Sequence, residues 1–319
     1  MPKPSEIRQQ TTYELERRRR LAAPAFAGGV LYLLSSIVIS ATLNGAPTVG
    51  LLQGLGPALR GEADPAASPR ADEVKFISRH AFALIAGSAL AAIAIAILVL
   101  VLLLLFGAAR FRRPEVFAPA RPLVIYGGLA FATISVAHQV VGAILTHKFA
   151  MAGHDHSTHA VEQALTKGAP NLLVQYLALL AGLALAAGTV TTMMAAQRVG
   201  LVPRWMGVLG IFTGILLFIP IGGAQLGGLI PAFFLVMMGV LLVGKWPNGD
   251  PPAWEAGEAR PWPTAAEQRA ERERAAGRLA PAGAAAGSGA IAEAGAPEPK
   301  LPSDTRSQRR KRRKSGGKH

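Results

Sequence analysis

The chain contains no cysteine. Disulfides, thiolate metal sites, haem attachment through cysteine and cysteine nucleophiles are therefore excluded. Charge is scarce as well: Asp, Glu, Lys and Arg make up 16% of the chain against 51% for the hydrophobic residues, where a soluble globular chain carries about 25% charged residues. Catalytic signatures are also missing. No GxxxxGK[ST], HExxH, GxSxG or GxGxxG in strand–helix context occurs, so ATP hydrolysis, zinc proteolysis and α/β-hydrolase chemistry lack their parts.

What the chain does have is long apolar runs. Six of them, 21–43, 81–108, 122–146, 171–196, 206–222 and 227–243, contain no Asp, Glu, Lys or Arg. A hydrocarbon core requires roughly 17–25 helical residues, and backbone groups in lipid must be satisfied within the segment, which favours helices over strands. The fold expected is all-α, a polytopic transmembrane bundle of six spans. "GGAQLGG" (222–228) is read as the tight turn between the last two. The first run follows Arg17–Arg20 as a signal peptide would, but no small-residue cleavage site precedes its end and it exceeds a usual h-region. It is read as a retained span.

Lys and Arg in short flanks mark the cytoplasmic side. Residues 1–20 hold six, 109–121 hold four, 197–205 hold two and the segment from 244 onward holds fifteen. On the other side, 44–80 hold four, offset by Glu62, Asp64, Asp72 and Glu73, and 147–170 hold only Lys148 and Lys167. Both termini are therefore expected in the cytoplasm. Trp205, Trp246, Trp254 and Trp262 fall on that same side, as residues that favour the headgroup region should. Three regions follow: a cytoplasmic segment 1–20, a transmembrane domain 21–243 and a cytoplasmic tail 244–319. The tail starts Pro/Trp-rich, which predicts extended chain at the membrane surface. A short polar helix is expected over 264–279, then an Ala/Gly/Pro-rich, disordered stretch over 280–300 and a basic end.

The spans contain no carboxylate, so the usual relay of a proton- or cation-coupled transporter is absent. Chemistry then falls to histidine. Six of the seven histidines lie outside or in the outer half of a span, and "GHDHSTH" places His154, His156 and His159 at spacings of two and three around Asp155. Imidazole suits Zn, Cu, Ni or Fe, so these residues, with His147 nearby, can make a transition-metal site. A helix over 157–166 would set His159 and Glu162 on one face. Two plainer readings stand beside this one. Protonation near pH 6.5 would charge the loop and make it a pH sensor, or it is an ordinary polar loop. His138 and Gln175 are the intramembrane polar pair, read either as an interhelical hydrogen bond that fixes packing or as the lining of an outward-facing pocket.

The basic end, "RSQRRKRRKSGGKH", holds eight Lys or Arg and no acid. Tethered beside the bilayer, it is expected to contact anionic lipid headgroups. Nucleic acid is disfavoured, because no base-reading module accompanies the charge.

Three stretches, "RRRRLAAPAFAGGVLYLL", "LVPRWMGVLGIFTGILLFIPIG" and "KWPNGDPPAWEAGEARPWP", resemble uncharacterised multi-span membrane proteins of high-GC bacteria. That resemblance implies a protein of the bacterial plasma membrane and supplies no catalytic residue. The expected protein is a non-enzymatic membrane protein with an outer histidine loop able to hold a transition metal. Two alternatives stay open: a small-solute or metal transporter with a pocket near His138 and Gln175, and a membrane scaffold that recruits a partner through its basic tail.

Overall fold

The computed structural model describes residues 4–47, 49–50, 68–152, 157–218, 224–247 and 249–262, and in the C-terminal region 267, 269, 270, 273 and 274. Among these residues regular structure is entirely helical. The elements are α1 (Pro4–Leu43), α2 (Ala71–Arg79), α3 (Ala81–Arg112), α4 (Ala120–Met151), α5 (Thr158–Glu162), α6 (Ala169–Val199), α7 (Arg204–Phe218), α8 (Ala224–Val243) and α9 (Pro252–Ala256).

Four helices are long and apolar enough to cross a membrane: α1, α3, α4, and α6 together with α5, which leads into it. The fifth and sixth apolar runs give shorter apolar helices. With 15 residues, α7 rises only about 22 Å against a hydrocarbon core of about 30 Å. Its described residues run to Phe218, and 219–223 lie outside the described residues. Within the expected turn over 222–228, residues 224–228 are helical as part of α8, and 222–223 lie outside the described residues.

α1 begins well before the first apolar run. The segment 1–20 is helix from Pro4 onward, since its Glu, Gln, Arg and Leu are good helix formers and Glu6 sits in the positive first turn.

The helices close into a bundle in which α1 packs between α8 and α3, α3 meets α4 and α6, and α7 lies between α6 and α8. Leu98, Leu102 and Leu105 of α3, Leu185 and Met193 of α6, and Phe234, Leu235 and Met238 of α8 fill the centre and are fully buried. Small residues let the helices approach, as is usual between membrane helices. A Cβ on Gly29 would fall 2.7 Å from the Ala232 carbonyl oxygen of α8, and one on Gly127 would fall 2.7 Å from the Leu185 nitrogen of α6. A π-helical turn over Leu123–Gly127 seats α4 at this second contact. A separate small core at the other end joins Ala71 and Val74 of α2, Phe149 of α4, and Val161 and Ala164, so part of the expected outer loops is packed structure.

The compact unit runs from Met1 to Trp262, and Pro263–His319 forms a second unit. From its composition the tail is expected to start at 244. The structure instead carries 244–262 into the bundle, with Trp246, Ala253 and Trp254 buried. In the second unit Glu267, Arg269, Ala270, Glu273 and Arg274 are helical, within the expected polar helix. The stretches at 280–300 and 301–319 lie outside the described residues.

Candidate functional site

Within the histidine loop, His154, Asp155 and His156 lie outside the described residues. His147 is exposed near the end of α4, and His159 is exposed on α5 with its Nε2 3.5 Å from Gln163 Nε2. Ser157 caps α5 by accepting a hydrogen bond from the Ala160 N–H, which fixes where the loop re-enters helix. Glu162, three residues after His159, is engaged by Lys167, whose Nζ donates to it at 2.6 Å. Among the described residues no group of three His, Asp or Glu side chains converges on a metal position. His80 is used locally: its Nδ1 lies 2.9 Å from the Phe76 carbonyl and its ring packs on Phe76 at 4.1 Å.

The hydrogen bond and positive charge of Lys167 hold the exposed Glu162 carboxyl below its ordinary value of 4.5, with smaller help from His159 and Arg70. A lowered carboxylate pKa means that the interaction is complete above the unfolded value and is lost as pH falls through the folded one. Carboxyl NMR titration should place Glu162 below an ordinary glutamate, and Lys167→Ala should raise it.

His138 is half-buried on α4 and Gln175 is exposed on α6. No hydrogen bond joins them, and neither lines the cavities described below. Leu98, Leu102 and Leu185, all fully buried, close the space between α3 and α6.

The densest polar chemistry lies at the opposite, basic end, where the sequence reading places no site. Glu14 and Arg18, one turn apart on α1, point inward and are each only 2% exposed, while residues 17, 19 and 20 of the same arginine run face outward. Arg112, at the end of α3, meets Glu14 in a pair whose side chains are 0% and 2% exposed. Its Nη1 donates to Glu14 Oε1 at 3.0 Å and to the Ala108 carbonyl at 2.8 Å. Its Nε and Nη2 both donate to the Ala253 carbonyl, at 3.0 and 2.8 Å. Gln10 donates to the same Glu14 Oε1 at 2.9 Å, while Glu14 Oε2 lies 2.8 Å from Arg112 Nη2 in an ion contact.

Arg18 grips the following segment. Nη1 and Nη2 donate to the two oxygens of Asp250 at 3.0 and 2.7 Å, and Nη2 also donates to the Leu241 carbonyl at 2.6 Å. The two guanidiniums flank one indole: Arg18 Cζ is 5.4 Å and Arg112 Cζ 5.7 Å from the Trp254 ring centre. Cation–π attraction is strongest where water is excluded, and Trp254 is 1% exposed. Its Nε1–H donates to the Leu201 carbonyl at 2.9 Å, in the connection from α6 to α7. Taking two arginines and a glutamate out of water costs several kcal/mol per ion unless their polar groups are well paired. Here the backbone carbonyls of 108, 241 and 253 supply that pairing for most of the guanidinium donors, while Arg18 Nε and Glu14 Oε2 are buried without a hydrogen bond.

Nothing in the cluster resembles acid–base machinery, since each guanidinium is committed to a carboxylate and to backbone oxygens. Its chemistry is that of a latch: α1, α3, the α6–α7 connection and the segment 250–254 close on one another at a single buried point. Sequence signals for it exist, but weakly. Glu14 and Arg18 have the i, i+4 spacing of one helix face, and Asp250 precedes Trp254 by four residues. What no local pattern shows is that partners 98 and 232 positions apart meet. No family model, curated protein or solved structure matches this chain, so these residues carry the functional reading by themselves.

Proposed function

We propose that the chain is a six-span, non-enzymatic protein of the bacterial plasma membrane. Its latch fixes a polybasic C-terminal segment at the cytoplasmic surface, where that segment engages anionic lipid headgroups. The observation that carries this reading is the burial of Arg18 and Arg112 against Asp250, Ala253 and Trp254. A free tail needs no buried clamp. A tail that must leave the bundle at a set point does, and the clamp holds residues 250–254 against the N-terminal part of α1. The Lys and Arg excess in 1–20, 109–121 and 244–319 supports assigning that end to the cytoplasm. Each basic residue near an anionic surface contributes about 1 kcal/mol, so the eight Lys or Arg of the final stretch constitute a strong electrostatic hand.

Capture of vesicles tests this. Full-length protein in neutral phosphatidylcholine proteoliposomes should retain free vesicles that contain phosphatidylglycerol and ignore those of phosphatidylcholine alone. Capture should weaken with salt, because exposed charges are screened over about 10 Å at 0.1 M. Deleting 300–319 should abolish it. Equal capture by the deletion variant would refute the role given to the tail.

A further inference from the structure

Beside the latch, two cavities open on the surface of the basic end and share Arg198 and Met194. One, of about 460 Å³, is lined by Gln197, Arg198, Arg204, Ile211, Pro261 and Trp262. The other, of about 320 Å³, is walled by Arg113, Val116, Phe117 and Thr191. We infer that this double groove is a binding site for an anionic phospholipid, its phosphodiester headgroup held by Arg198 and Arg204 and an acyl chain lying along Met194 and Ile211.

Charge is the first reason. Arg113 is 3.8 Å from Glu115, but Arg198 and Arg204 are exposed and have no hydrogen-bonding or ion-pair partner among the described residues. Glu115 also lines the smaller cavity and is paired with Arg113, which leaves the Arg198 and Arg204 guanidiniums on adjoining walls to meet a phosphodiester through directed N–H donors. Layering is the second. Met194 lies one turn inward from Arg198, and Ile211 about two turns inward from Arg204, roughly 10 Å at helical rise. The groove is therefore polar at its mouth and apolar toward the middle of the bundle, as a lipid is. Trp205, 45% exposed and stacked on Trp246 at 5.4 Å, marks the same level, as interfacial tryptophan does.

The third reason is that the groove is built. Its outer wall, Pro261–Trp262, is fixed because the Arg260 N–H donates to the Val199 carbonyl at 3.1 Å. Gly200 ends α6 at φ +83°, and a Cβ there would collide with the Arg260 carbonyl oxygen. Only glycine combines this left-handed turn with so close a backbone approach. The site rests on the membrane-spanning reading and not on the tail, since every residue in it precedes Pro263.

Tryptophan quenching by brominated lipid tests the inference on the full chain in mixed bilayers. Brominated phosphatidylglycerol should quench more strongly than brominated phosphatidylcholine at equal content, including at high salt. Arg198→Gln with Arg204→Gln should reduce that preference about tenfold or more, each arginine near a charged surface being worth roughly fivefold. Arg204→Gln alone, at an exposed position, should give a partial loss and serves if the double variant folds poorly. Quenching by phosphatidylcholine with no excess for phosphatidylglycerol would overturn the site alone, as would an excess that survives both substitutions. Displacement of the lipid by soluble glycerol phosphate would assign the groove to a free phosphate compound and overturn the lipid. Absence of quenching by either lipid would overturn the membrane reading with it.

Discussion

Replacing Arg112 with alanine is expected to destabilise the bundle by about 3–5 kcal/mol, the usual cost of removing one partner of a buried ion pair. Glu14 would be left charged and 2% exposed, with only Gln10 donating to it. The Ala253 carbonyl would lose both of its guanidinium donors at once. A Glu14→Leu/Arg112→Met variant should recover much of this loss, because replacing the whole pair by apolar groups of similar size removes the stranded charge. Denaturant or SDS titration of the purified protein, followed by circular dichroism, checks both. An Arg112→Ala protein as stable as the parent would show that the pair does not hold the end of α3 to α1.

Trp254→Ala is the second large effect, again about 3–5 kcal/mol, the range for truncating a large buried aromatic. The change removes the indole between two guanidiniums and the hydrogen bond to the Leu201 carbonyl. Stability alone does not distinguish a latch from ordinary core packing. The segment's release does. Trypsin should cut after Lys245 much faster in the variant, since Trp246 and Trp254 hold the following segment buried in the closed protein. Trp254→Phe keeps a ring between the arginines but loses the N–H donor and part of the buried ring, so it should cost about 1–3 kcal/mol, less than the alanine variant, and leave cleavage slow. Equal cleavage in parent and Trp254→Ala would remove the latch from the description.

Helices were legible in the composition because lipid imposes one requirement on every residue of a span, and apolar run length reports it directly. The runs at 81–108, 122–146 and 171–196 lie within α3, α4 and α6. The close contacts at Gly29 and Gly127 follow from the same physics: a missing side chain leaves room that a neighbouring helix fills. The tail was not legible. Proline and tryptophan in "KWPNGDPPAWEAGEARPWP" say that the chain is not a long helix and favours an interface. They do not say that Asp250 and Trp254 meet arginines contributed by α1 and α3.

The arginines were misleading for the same reason. A run such as Arg17–Arg20 reads as a topology flank, and only helix periodicity separates Arg18, which is buried, from its exposed neighbours. The histidine loop is the reverse case, conspicuous in sequence. His147 and His159, the ligand candidates among the described residues, stand exposed and form no metal group.

Because the chain lacks cysteine, single-cysteine labelling reports topology without background, and it tests most directly the placement of both ends inside and the histidine loop outside. With a membrane-impermeant maleimide, Asp155→Cys should label in intact cells, whereas Ser5→Cys and Ser303→Cys should label only after the membrane is opened. Labelling of Ser303→Cys in intact cells, or protection of Asp155→Cys until permeabilisation, would contradict it.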